Sequence, residues 1–230
     1  MKTKEVNKTL VEFWNQAISL TDEDKIAIKK EIPNINDLAP SKKLYDEVVK
    51  LGKLDKVLDY GCGSGWASII ASMSGTKEVV AVDMGEAIID ALKFYSELYN
   101  LNNIKALTID EKWLDTINDN TFDGVVCSNV LDVLPLETSR QIIVSLARIT
   151  KSKVVIGLNF YLSPKSAKDR GLELVDDRYL FVNGVLRLNS LSDTEWEKEF
   201  MPYFDIEKLD YFAWPNESVE TRRLFILTKK

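Results

Sequence analysis

Histidine is absent from all 230 residues. That removes His-based nucleophilic triads and His-ligated metal centres, and with them several hydrolase classes. Cysteine is nearly absent too: Cys62 and Cys127 sit in apolar, strand-end contexts and form no CxxC pair. Neither a disulfide framework nor a thiolate metal site is expected from them. No apolar run reaches the ~18 residues of a membrane span, and the opening MKTKEVNKTLVEFWNQ has no apolar centre of a secretory signal. A cytoplasmic protein with no membrane partner is the expectation. Lysine and arginine never occur in runs longer than two, and the net charge is −6. Phosphate backbones are bound mainly by clustered cations, so no nucleic-acid partner is expected either.

Glycine is scarce, 10 in the chain, yet three fall within VLDYGCGSGW (57–66), at positions 61, 63 and 65. Glycine loses the most conformational freedom on folding, so such a cluster marks a place where side chains would obstruct something. What surrounds it is an α/β pattern. Leu10, Phe13, Trp14, Ala17 and Ile18 recur at helical spacing, as do Leu44, Val48 and Leu51 after Ser41, with Pro33 and Pro40 between them. From residue 56 onward apolar strands alternate with helices: KVLDY (56–60), EVVAVD (78–83), IKALTI (104–109), FDGVVCSN (122–129) and KVVIGLN (153–159) read as strands. β-Branched apolar runs of this kind suit buried parallel strands, and repeated strand–helix units imply right-handed crossovers with helices on both faces. RYLFVNGVLRL (178–188) breaks the alternation with an Asn183-Gly184 hairpin signal. A helix near 191–200 then precedes two final strands, 204–214 and 222–229, close enough to pair antiparallel around Pro215-Asn216.

Gly61, Gly63 and Gly65 follow the first strand and precede a helix, where a bare turn lets a ligand approach backbone N–H groups. The spacing is not the GxGxxG of dinucleotide sites, and Asp59 lies two positions ahead of the first glycine. A carboxylate there repels a pyrophosphate and attracts an ammonium group, directly or through water. Asp83 ends the second strand, where a carboxylate can take both hydroxyls of a ribose or simply cap the next helix. Asp110 and Glu111 follow the third strand, with Trp113 beside them; they read as acceptors for an exocyclic amine or as solvated charges.

The order VLDYGCGSGW, VVAVDMG, TIDEKW, FDGVVCSNVLDVLP resembles the class I S-adenosylmethionine-dependent methyltransferases, over about residues 53 to 160. The resemblance implies a doubly wound, seven-stranded, mainly parallel Rossmann-like sheet whose last strand is antiparallel. It divides the chain into a helical cap (1–52) and a core (53–230) carrying a β-hairpin insert (161–190). It implies S-adenosyl-L-methionine as cofactor and no metal. By position, Asp59, Gly61, Gly63 and Gly65 match the methionine-end loop, Asp83 the ribose carboxylate with Met84 beside the adenine, Asp110 and Glu111 the adenine contact. Asn129 falls at the end of strand four, under the sulfonium.

Many small-molecule members carry a histidine shortly after strand four; this chain has Asp132. Asp132 and Asn129 are the catalytic candidates, Asp132 as a base or an amine-orienting group, or else only a surface or helix-capping carboxylate. Trp14, Tyr45, Asn159, Tyr161 and Tyr179 are placed on the substrate side, with the N-terminal helices and the insert as a lid. The function expected is methyl transfer to an O or N atom of a small molecule. A protein-methylating enzyme of the same fold, a nicotinamide-dependent oxidoreductase and a non-catalytic cofactor-binding protein are the alternatives.

Overall fold

A computed structural model describes residues 3–230. Three helices come first: α1 (Thr3–Ile18), α2 (Asp22–Lys30) and α3 (Lys42–Leu51). Then follow β1 (Lys56–Tyr60), α4 (Trp66–Met73), β2 (Glu78–Asp83), α5 (Glu86–Leu98), β3 (Ile104–Thr108), β4 (Phe122–Ser128), α6 (Leu136–Ile149) and β5 (Thr150–Leu158). An insert carries α7 (Pro164–Asp169), β6 (Leu174–Val175), β7 (Tyr179–Val182) and β8 (Val185–Asn189). The chain ends with α8 (Asp193–Phe200), β9 (Phe204–Phe212) and β10 (Arg222–Lys229).

Seven strands form one sheet in the order β3-β2-β1-β4-β5-β10-β9, and β10 runs antiparallel to both its neighbours. β1 pairs in parallel with both β2 and β4. The chain therefore winds outward from β1 to β3, then returns to lay β4 on the other side of β1. At such a reversal the connections leave in opposite directions and a crevice opens beyond the carboxyl ends of the strands.

The apolar strand runs conceal a period of two. Leu58, Val82, Val125, Cys127 and Ile156 face a core shared with Leu146 of α6 and Trp196 and Phe200 of α8. Val57, Val79, Val126 and Val155 face the opposite core, with Leu44, Val48 and Leu51 of α3 and Ile70 of α4. Both faces are buried, so the alternation is one of direction and not of polarity. α3 is thus a covering helix of the sheet, while α1 packs against α5 and β8.

The turn at Asn183-Gly184 has positive φ at both residues, 51° and 77°, as a two-residue hairpin requires. The insert holds one strand more than the hairpin pattern indicates: β6 pairs antiparallel with β7, and two residues are too few to carry a periodic signal. β5 starts at Thr150, earlier than its apolar run, because Thr150 pairs with Phe122 across a register shift. β9 stops at Phe212, ahead of the proline turn. α2 buries no residue. Its N-terminus is fixed by a Thr21–Asp24 capping box, not by an apolar stripe.

Candidate functional site

The glycine turn joins β1 to α4. Gly61, Gly63 and Gly65 all have left-handed φ, 69°, 51° and 80°. The N–H groups of Gly61 and Cys62 both donate to Val82 O, at 2.9 and 3.0 Å, so the turn is pinned to the end of β2. The three glycines serve different needs. A Cβ at Gly61 would stand 2.3 Å from Val130 Cγ2, and one at Gly65 would stand 2.2 Å from Leu92 Cδ1. At Gly63 the nearest atom is Ile18 Cδ1, 3.8 Å away. The outer glycines are required by the protein's own packing; the middle one leaves its space open.

Asp83 lies beside that space. Its carboxylate accepts from Gly63 N and from Gly85 N, each at 3.2 Å. Burial pushes its carboxyl above the ordinary value, against the pull of those backbone donors. Asp59 is 3% exposed and performs a different task. It accepts from Ser68 N at 3.0 Å and Ser68 Oγ at 2.6 Å. It thereby caps α4, whose N-cap, Gly65, has no side chain to do so.

Burial, partly opposed by the Ser68 donors, pushes the Asp59 carboxyl up to about 7 from 3.8. Between those values the folded protein keeps a proton that the unfolded chain has released, so stability falls as pH rises through that window and levels off above 7. The gap corresponds to roughly 4 kcal/mol. Asp59→Asn keeps an acceptor for Ser68 N and removes the titration. Urea unfolding at pH 5 and pH 8 is expected to show a decline in the parent protein that is roughly 2–3 kcal/mol smaller in the variant, the share of the gap lying above pH 5.

A cavity of about 1240 Å³ opens at the carboxyl ends of β1, β2 and β4. Gly61, Gly63, Asp83, Met84, Glu111 and Asn129 line it. Asn129 holds left-handed φ, 57°, and donates its N–H to Gly157 O at 2.8 Å. Its side-chain Nδ2 is buried without a partner among the described residues. Asn129 thus brings an unclaimed buried donor to the lip of the cleft.

The other candidates separate. Trp14 lines the cavity. Asp110 is exposed and caps its own turn through Lys112 N, 2.9 Å. Asp132 is fully buried, accepting from Asn159 N, and does not line the cavity. Burial pushes its carboxyl up, with Asn159 and the charge of Arg223 opposing. Asn159 in turn receives Arg222 on its side chain and Arg223 Nε on its carbonyl. Tyr45 packs against the α3–α4 core. Tyr161 borders a smaller pocket with Arg223. The Tyr179 hydroxyl accepts from Leu136 N at 3.3 Å, at the start of α6. Cys62 and Cys127 are free and buried.

Residues 57–153 match the family model described as a methyltransferase domain. Over that stretch the chain is similar to a methyltransferase domain. A ribosomal protein L11 methyltransferase of Acetivibrio thermocellus is 38% identical over 97 residues, covering 42% of this chain and 29% of the relative. One from Thermotoga neapolitana is 29% identical over 151 residues, 64% of this chain and 53% of the relative. The match thus spans about half or less of the length of these curated relatives. Among solved structures, the magnesium protoporphyrin IX methyltransferase of Synechocystis PCC 6803 with bound SAH has a TM-score of 0.69 at 18% identity, over 97% of this chain and 100% of that one. At that identity the likeness is one of fold.

In and beside the cleft stand residues that local sequence patterns do not single out. Asn15 Oδ1 of α1 accepts from Ala87 N at 3.0 Å, capping α5 directly after Asp83. Asn7 donates to Glu111 Oε1 at 3.4 Å, and both line the cavity. Trp214, Pro215 and Asn216 line it from the β9–β10 loop. Among the described residues no helix is long and apolar enough to cross a membrane.

Proposed function

We propose that the protein is an S-adenosylmethionine-dependent methyltransferase that methylates an O or N atom of a small molecule. The observation that carries this is the Gly63–Asp83 pair, a side-chain-free turn whose N–H is held by a carboxylate at the lip of a large cleft. The donor set fits such a cofactor. Asp83 offers acceptor oxygens for ribose hydroxyls, Glu111 an acceptor for an amine, and Asn129 Nδ2 an unclaimed donor. When bound, S-adenosylmethionine supplies a methyl group on a positively charged sulfur, already activated for departure. The chain's own work is then to align two molecules and exclude water, which needs neither a metal nor a covalent nucleophile.

The volume of about 1240 Å³ exceeds the ~300–1,000 Å³ of typical single-ligand pockets, leaving room for an acceptor. α1 borders it through Leu10, Trp14 and Ile18 and is held in place by packing of Leu10 with Val185 and Leu186 of β8. A helix along the cleft in this way supports the reading of a small acceptor. The names of the L11 methyltransferase relatives favour a protein acceptor instead, and transfer of tritiated methyl to acid-precipitable protein would establish that reading.

Saturating S-adenosylhomocysteine is expected to raise the melting temperature, and NADH is expected not to. At a hundredfold excess over Kd the stabilisation is about 2.7 kcal/mol, or roughly 5–10 °C for a chain of this size. A shift with NADH alone would support the oxidoreductase alternative. The cytoplasmic location is part of the same proposal.

A further inference from the structure

Flat rings recur around the cleft. Trp14 of α1, Pro40 before α3, Trp66 at the start of α4, and Trp214 with Pro215 all line it. Three indoles and two proline rings are flat surfaces that suit a flat apolar partner. Four carboxylates, Asp83, Glu111, Asp115 and Glu137, line the same cavity, and among the described residues no lysine or arginine does. An anionic acceptor would enter a field of its own sign without a compensating cation.

Two of the indoles already have a cation beside them. The Arg222 guanidinium lies 3.6 Å from the Trp214 ring centroid, and Arg187 lies 5.6 Å from that of Trp14. One face of each of these rings is thereby occupied by a neighbouring guanidinium. Arg222 is itself 5% exposed and tied through Nε and Nη2 to Glu217, so it supports Trp214 from behind and is not available to a ligand. Lys43 fixes the other side of this loop, reaching Asp210 at 3.1 Å, Glu220 at 2.8 Å and Tyr211 O at 2.6 Å.

We infer that the acceptor is an uncharged aromatic ring compound bearing a hydroxyl or amine, and that Trp214 is a specificity-determining wall of its subsite. This rests on the methyltransferase reading above. Transfer of the methyl group from S-adenosylmethionine to a phenol of that kind would form the O–CH3 bond as the S–CH3 bond breaks; the phenolic proton leaves to solvent and S-adenosylhomocysteine departs neutral at sulfur.

The test uses the full chain saturated with S-adenosylhomocysteine, whose own binding is measured first by calorimetry. Failure at that step sinks the methyltransferase reading and is scored separately. The probes are 2-naphthol and 6-hydroxy-2-naphthoate, which share a ring system and differ by one carboxylate, followed by equilibrium dialysis. The naphthol is expected to bind at least about tenfold more tightly. Trp214→Ala is expected to weaken naphthol binding about fivefold or more with S-adenosylhomocysteine affinity unchanged, and Trp214→Phe, which keeps a flat ring, to restore most of it. Equal or tighter binding of the naphthoate, binding of neither probe, or an unaltered affinity in both Trp214 variants overturns the inference.

Discussion

Asp83→Ala is expected to lower affinity for S-adenosylmethionine by about a hundredfold or more. The carboxylate sits at the end of β2 with its oxygens turned toward Gly63 N and Gly85 N, at the border of the cleft. Hydrogen bonds to a charged group contribute about 1.5–3 kcal/mol each, and every ~1.4 kcal/mol is a factor of ten in Kd. Two such bonds to ribose hydroxyls therefore exceed two decades. Isothermal titration calorimetry measures the change directly. Because the variant also strips an acceptor from the turn, circular dichroism and Asp83→Asn, which keeps an acceptor and loses the charge, separate binding from folding. A loss under about threefold in both variants would remove Asp83 from the cofactor site.

The largest expected loss of stability belongs to Gly65→Ala. The residue has φ of 80°, and its new Cβ would lie 2.2 Å from Leu92 Cδ1 and 3.1 Å from Leu92 Cγ. Leu92 is fully buried in the α5 core and has nowhere to retreat. Left-handed backbone costs an alanine roughly 1–2 kcal/mol, and forcing a methyl into a packed core costs about 1–3 more. The sum, roughly 2–5 kcal/mol, should lower the melting temperature by about 5–20 °C. Gly63→Ala is the informative contrast. With φ of 51° and only Ile18 Cδ1 nearby at 3.8 Å, it carries the backbone cost alone. Its expected signature is a small drop in melting temperature with a large drop in cofactor affinity. If the two glycines gave the same pattern, the division between packing and ligand space drawn at the turn would be wrong.

How far the sequence reaches follows from how far apart the interacting residues are. The strands, the glycine turn and Asp83 are legible because each depends on neighbours within one strand–turn–helix unit. The antiparallel closing strand is legible for the same reason, since β9 and β10 lie close together in the chain. Asp59 shows where the reading stops. Its position two before Gly61 suggests an ammonium contact; the structure adds a second task, since its Oδ2 accepts from Ser68, one helical turn into α4. A cap supplied from the preceding strand has no local signature. Asp132 is further out of reach: its burial depends on Asn159, itself held by Arg222 and Arg223 from a strand more than sixty positions later. Trp214 enters the cleft, and Asn15 reaches the start of α5 beside it, only once the sheet has closed and α1 has docked. The aromatic residues Tyr45 and Tyr179 carry the same composition as cleft residues, and only their packing tells them apart.

Asn15 steadies the helix after Asp83 while Ile18 hangs over Gly63, so the first helix is wired into the glycine-turn end of the cleft. Trimming the amino end of the chain would accordingly be felt as weaker cofactor retention, even though every residue of the glycine turn survived the cut. A bulky fusion placed there would crowd the mouth that Asn7 borders, and purification handles belong at the carboxyl end.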